Sequence, residues 1–201
     1  SHPSATAPSN EEVSLFALDL FNCALGETDS AIEGDYLRYS YTSCQYQVRG
    51  FYDDYAHVAQ LEYTYNLTYY INKAQEDELT LEINKVLNSF GFTETTTERQ
   101  KVDKIYAYIT NNILYDYENL NDDDYSLKYT AYAALMHKTA VCEGYAVLLY
   151  RMLKQCNIDT RVITGYGGSS RDAKHAWNIV RLDDEYYYCD STWDAEATLY
   201  N

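Results

Sequence analysis

The segment Val141-Cys142-Glu143-Gly144-Tyr145-Ala146-Val147-Leu148-Leu149-Tyr150-Arg151-Met152-Leu153-Lys154-Gln155-Cys156 decides how the chain is read. Cys142, Tyr145, Ala146, Leu149, Met152, Leu153 and Cys156 fall on one stripe at helical spacing. The pattern predicts a core-facing helix that starts at Cys142. A cysteine on such a stripe is commonly a small packed hydrophobe, and Cys23 and Cys156 are read that way. Cys142 differs by its position. At a helix N-terminus the free N–H groups and the helix dipole favour a thiolate. The same N–H groups suit the oxyanion of an acyl transfer. Gly144 leaves room near the sulfur for a substrate backbone, whereas the charge of Glu143 opposes the thiolate.

Downstream, residues 160–164 read as a strand. Gly165, Gly167, Gly168, Ser169 and Ser170 read as a flexible turn. Residues 175–182 and 185–190 read as a hairpin about Asp183-Asp184. A hairpin sets the start of one strand beside the end of the next, so His175 and Asp190 become neighbours. A thiol nucleophile needs a base, and the base needs an orienting group. Cys142, His175 and Asp190 supply the three. Each alone has a structural reading; together and in this geometry they point to catalysis.

Upstream, residues 11–25 show helical spacing (Val13, Phe16, Ala17, Leu20, Ala24), with Ser9 or Asn10 as cap and Gly26 at the end. Residues 36–48 and 58–71 are rich in Tyr, Thr and Val and read as strands. A helix is predicted over 75–89, and another from Thr95, where Thr95 and Glu98 fit a capping box. Residues 118–126 read as a polar loop and 129–136 as a short helix. Residues 1–9 read as a disordered leader.

Three segments resemble the motifs of the transglutaminase-like superfamily, in that family's order: Val141-Cys142-Glu143-Gly144-Tyr145-Ala146, His175-Ala176-Trp177-Asn178 and Asp190-Ser191-Thr192-Trp193-Asp194. Lys104-Ile105-Tyr106-Ala107-Tyr108-Ile109, followed by Tyr115-Asp116, is similar to the elements that lead into such cores. The resemblance implies an α+β fold with a papain-like core, in which the cysteine helix packs on an antiparallel sheet carrying histidine and aspartate. It divides the chain into an N-terminal helix-and-strand extension, 1–75, and a core, 76–201. It implies Cys142, His175 and Asp190 as the catalytic residues. Gly144, Trp177, Trp193 and Tyr115 are the candidates for substrate binding. Trp177 and Trp193 have two readings, shields of the triad or plain core. Tyr115, Tyr117 and Tyr129 are candidates for a second oxyanion donor.

Composition sets outer bounds. The 201 residues carry a net charge of −16 and 24 tyrosines. An acidic chain lacks the basic patch that nucleic acid or an anionic membrane needs. No apolar run approaches the roughly 20 residues of a membrane span. Tyrosine suits half-wet sheet faces and the core edge. The five cysteines fit no metal pattern, and Asp122-Asp123-Asp124 lacks EF-hand spacing. Neither metal nor cofactor is expected. A first residue of Ser1 rather than methionine is compatible with trimming, and so with export to the cell surface or beyond. The expected partner is a peptide or protein substrate. The leading reading is a thioester-forming cysteine enzyme of the hydrolase type, a peptidase or amidase. Acyl transfer to an amine (protein crosslinking), a non-catalytic binding module and a metal site are the competitors.

Overall fold

In the computed structural model, which describes residues 8–52, 58–167 and 173–199, Asp183 and Asp184 both adopt left-handed backbone angles, φ 51° and 65°. Two such residues make the tight turn that matches strand twist. They join β6 (Lys174–Leu182) to β7 (Glu185–Cys189), with Asn178 opposite Cys189 and Leu182 opposite Glu185. On its other side β6 pairs antiparallel with β5 (Thr160–Tyr166), giving the sheet order β5-β6-β7. Gly165 lies inside β5 rather than in a turn, and Trp177 packs where its side chain would be. The rest of the expected glycine-serine turn, 168–170, falls outside the described residues.

Strand alternation decides what the sheet buries. Ala176, Asn178, Val180 and Leu182 are buried, and the intervening residues are more exposed. The buried face meets α5 (Cys142–Gln155), where Asn178 Nδ2–H donates to the Ala146 carbonyl at 3.0 Å. That helix is buried nearly all round rather than along one stripe: Val147, Leu148, Tyr150, Arg151 and Lys154 join the expected residues. It is central because α4 (Glu98–Asn112) and α6 (Ser191–Leu199) also pack on it.

The buried cations on α5 are neutralised. Arg151 donates to Glu76 at 2.7 Å and Thr80 at 2.8 Å, both on α3 (Lys73–Ser89). Lys154 pairs with Glu27 at 2.8 Å. Asp35, on the single turn α2 (Asp35–Arg38), accepts from Arg161 twice and from the Val162 N–H. These ties fasten residues 27–40 to the core. Residues 36–40 are therefore not strand, and the expected boundary at 75/76 becomes an interruption. Residues 27–40 and 70–201 form one compact unit, and 1–26 with 41–69 form the other.

The smaller unit is a helix on a ribbon. β1 (Tyr41–Tyr52) and β2 (Val58–Tyr69) pair antiparallel, and α1 (Asn10–Ala24), capped by Ser9, lies on them. Tyrosine does much of the packing. Phe21 stacks with Tyr65 at 5.5 Å, and the Tyr65 hydroxyl donates to the Ala17 carbonyl at 2.6 Å. Only Ala17 of α1 is fully buried, and Cys23 is exposed, contrary to its reading as a core residue. A two-stranded ribbon offers one thin face, too little to bury a whole helical stripe.

Helix starts follow local hydrogen bonds. The α4 cap is Thr97 with Gln100, not Thr95 with Glu98. A turn closed by Thr93 and Thr96 takes up the earlier threonines. The helix expected over 129–136 starts two residues later: residues 131–132 are α-helical and run into a wide π-helical turn, Ala133–His137, after a separate 3-10 turn, Ser126–Tyr129. Extended backbone at Thr130 separates them.

Candidate active site

Cys142 is the first residue of α5, and Val141 occupies the cap position without a side-chain bond. The thiol is half-buried. Burial pushes its pKa up; the N–H groups of Ala176 and Glu143 pull it down, and the charges of Glu143 and Asp190 push it up again. The net direction is upward, against the direction expected of a helix N-terminus. Desolvation outweighs the two N–H contacts here. Cys156 and Cys189 are also raised by burial, Cys189 to about 11, but neither gains a helix N–H.

His175 begins the exposed face of β6. Its Nε2 lies 2.6 Å from Asp190 Oδ2, with the ring N–H donating to the carboxylate. This fixes the tautomer and leaves Nδ1 free to take a proton. Asp190 precedes α6 and caps it: its Oδ1 accepts the Trp193 N–H at 3.2 Å. Each carboxylate oxygen thus has one task, and the helix N-terminus favours the charge. Trp193 stacks on the imidazole at 5.1 Å and 15° between planes, and Trp177 does so at 5.8 Å and 24°. The Tyr106 hydroxyl donates to Asp194 Oδ2 at 2.8 Å, tying α6 to α4.

Cys142 and His175 line one cleft of about 520 Å³ with Tyr115, Leu120, Tyr129, Glu143, Lys174 and others. One wall depends on Lys128. Its buried ammonium has no carboxylate partner among the described residues and donates to the carbonyls of Asn119, Leu120 and Asp122 at 2.7, 3.2 and 2.6 Å. Its own carbonyl accepts the Val141 N–H at 3.1 Å. Lys128 therefore holds both the Leu120 loop and the entry to the Cys142 helix. Lys128→Met should cost about 3 kcal/mol, since it removes three charge-assisted hydrogen bonds to loop carbonyls. Urea unfolding should show a lower midpoint at unchanged slope, and amide exchange over 117–124 should quicken.

The comparisons with known proteins bear on this arrangement. The family model for the transglutaminase-like superfamily matches residues 84–191, more than half of the chain and inclusive of all three residues. The chain belongs to the transglutaminase-like superfamily. The kyphoscoliosis peptidases of Mus musculus and Homo sapiens are each 28% identical over 109 residues, 50% of this chain. The chain spans 16% of the length of those curated relatives. A crystal structure of a TGase aligns with a TM-score of 0.53 and 17% identity, covering 94% of this chain and 49% of that one. That likeness concerns the fold.

Within this transglutaminase-like core the expected residues separate by place. Tyr115 lines the cleft, with its ring 4.8 Å from Tyr117. Gly144 is buried and does not line it. A Cβ there would meet Ala140 Cβ at 2.7 Å and the carbonyls of Lys128 and Thr130 at 3.0 Å. Its small size lets the helix sit on that turn rather than admitting substrate. Trp177 and Trp193 also lie outside the lining and contact the imidazole instead. Sequence reasoning missed the capping role of Asp190, legible as an aspartate three residues before Trp193, and it missed Lys128. Among the described residues no cluster of His, Cys, Asp or Glu has metal-binding geometry, and no helix is long and apolar enough to cross a membrane.

Proposed function

We propose that the chain is a cysteine hydrolase of the transglutaminase-like type, acting on peptide or protein amides, with Cys142 as nucleophile, His175 as base and Asp190 as the group that orients and charges the base. The observation that carries this reading is the 2.6 Å Nε2–Oδ2 contact in a cleft that also holds the Cys142 helix terminus. His175 Nδ1 takes the thiol proton as sulfur attacks the carbonyl carbon. The tetrahedral oxyanion accepts from the N–H groups of the first turn of α5. Collapse breaks the C–N bond, and the imidazolium returns its proton to the departing amine. Water then attacks the thioester, its proton passes to His175, and the acid leaves with the thiol restored. A raised thiol pKa fits a nucleophile that is deprotonated as it attacks. The peptidase name of the curated relatives supports hydrolysis over crosslinking.

The test is incubation with a library of glutamine-containing peptides and measurement of product masses, with and without added amine. Hydrolysis gives acid products that are unchanged by amine. Amine adducts would replace hydrolysis by transamidation. A peptide that binds without any product would reduce the chain to a binding module.

A further inference from the structure

Glu143 follows the nucleophile, lines the same cleft and is half-buried. Among the described residues no hydrogen bond or ion pair engages its carboxyl group. Lys174 lines the cleft too but forms no ion pair with it. Withdrawal of a carboxylate from water without a partner is costly, and buried carboxylates are normally paired. Burial here raises the Glu143 pKa to about 7. Other acids of the larger unit are paired: Glu27, Asp35 and Glu76 each hold a cation, Asp190 holds an imidazole, and buried Asp116 accepts from Asn119. Glu143 is thus an acid in the cleft that has no partner among the described residues.

The surroundings say what that partner is. Tyr129 lines the cleft with Glu143, and its ring already carries the Lys128 ammonium at 5.1 Å; Tyr70, whose ring is 6.1 Å from that of Tyr129, has its phenol raised in part by the charge of Glu143. Aromatic faces beside a carboxylate suit an ammonium or guanidinium group. The net charge of −16 draws cations toward the surface and repels anions.

We propose that Glu143 is a specificity-determining residue that seats a cationic group of the substrate, an ammonium or guanidinium, beside Cys142. The group belongs to a lysine or arginine side chain of the acyl donor. The inference rests on the proposed cleft chemistry, yet its test does not require turnover.

Cys142 is labelled with three methanethiosulfonates: cationic trimethylammonioethyl, neutral methyl and anionic sulfonatoethyl. Each rate is read at Cys142 by peptide mass spectrometry and normalised to the same reagent's rate with free glutathione. These reagents modify any accessible thiol, so the ratios are readable whether or not Cys142 is activated. A unit charge at close range and intermediate dielectric is worth a rate factor of roughly tenfold or more. The cationic-to-anionic ratio should exceed one in the parent and fall roughly tenfold in Glu143→Gln. An unchanged ratio in that variant overturns the inference and leaves the thiol chemistry standing. The neutral reagent reports separately on activation: a Cys142 rate no faster than that of Cys156 weakens the hydrolase reading and leaves the ratio interpretable. Protection of Cys142 by Nα-acetyl-lysine methylamide but not by butylamine assigns the cation to the acyl donor. Protection by butylamine as well shows that the cation alone suffices, without the donor backbone, and supports the inference. Protection by neither at millimolar concentration, in parent and variant alike, also overturns the inference.

Discussion

Cys142→Ala should abolish amide turnover while leaving the protein folded. The substitution removes the only protein atom in the proposed pathway that bonds to the substrate carbon. The cleft and the N–H groups of the first turn of α5 would still bind a carbonyl, but no thioester can form. In subtilisin, loss of the nucleophile or the base costs about 2 × 10⁶ in turnover, with residual rate from the oxyanion site and binding. A loss of the same order, roughly 10⁵–10⁶-fold, is expected here. The structural cost is small, because Cys142 is only half-buried and sits at the first position of its helix. Circular dichroism and the urea midpoint should match the parent. Retention of product formation by Cys142→Ala would show that another group does the chemistry, and would sink the nucleophile assignment.

Legibility in the sequence followed how local each determinant is. The Asp183-Asp184 turn and the alternation on both sides of it are visible within a short window, and β6 and β7 lie where that window puts them. The start of α5 at Cys142 was likewise readable, because a run of helical spacing ends there. Choices between similar local options were not readable. Thr95 and Thr97 both precede a polar residue at capping distance, and only the Thr93–Thr96 turn decides between them. Thr130 interrupts what looked like one helix, because its backbone stays extended while its hydroxyl accepts the Ala133 N–H.

Non-local determinants were out of reach altogether. Gly144 next to a nucleophile suggested substrate access, yet the atoms that require glycine there are the carbonyls of residues 128 and 130. Nothing local marks Lys128; its role comes from three carbonyls that close around its ammonium. The thiol of Cys142 shows the same limit in energetic form. Helix position is written in the sequence and lowers a cysteine pKa, but burial is a property of the fold and outweighs it.

Asp190→Asn should lower turnover by roughly 10²–10³-fold while costing about 1 kcal/mol of stability. The reasoning starts from counting acceptors. The carboxylate has two acceptor oxygens, and both are used: Oδ2 by the His175 Nε2–H and Oδ1 by the Trp193 N–H. An asparagine has one oxygen and one NH₂ group, so one donor must face another donor. If the oxygen turns to Trp193, the cap of α6 survives, but the NH₂ group confronts Nε2. The imidazole then favours the tautomer with its proton on Nδ1 and cannot accept one from Cys142. If the oxygen turns to His175, the tautomer survives and the cap is lost, and with it the backbone contact that seats Trp193 against the ring. In both arrangements the imidazolium loses its counter-charge. The equivalent change in the serine triad costs roughly 10⁴-fold. The loss is expected to be smaller here because a thiol depends less on its base than a hydroxyl does. Melting should fall by about 2–4 °C for a chain of this size. Activity within a few-fold of the parent would mean that His175 is oriented by its stacking on Trp193 and Trp177 alone, and that the Asp190 contact serves only to cap α6.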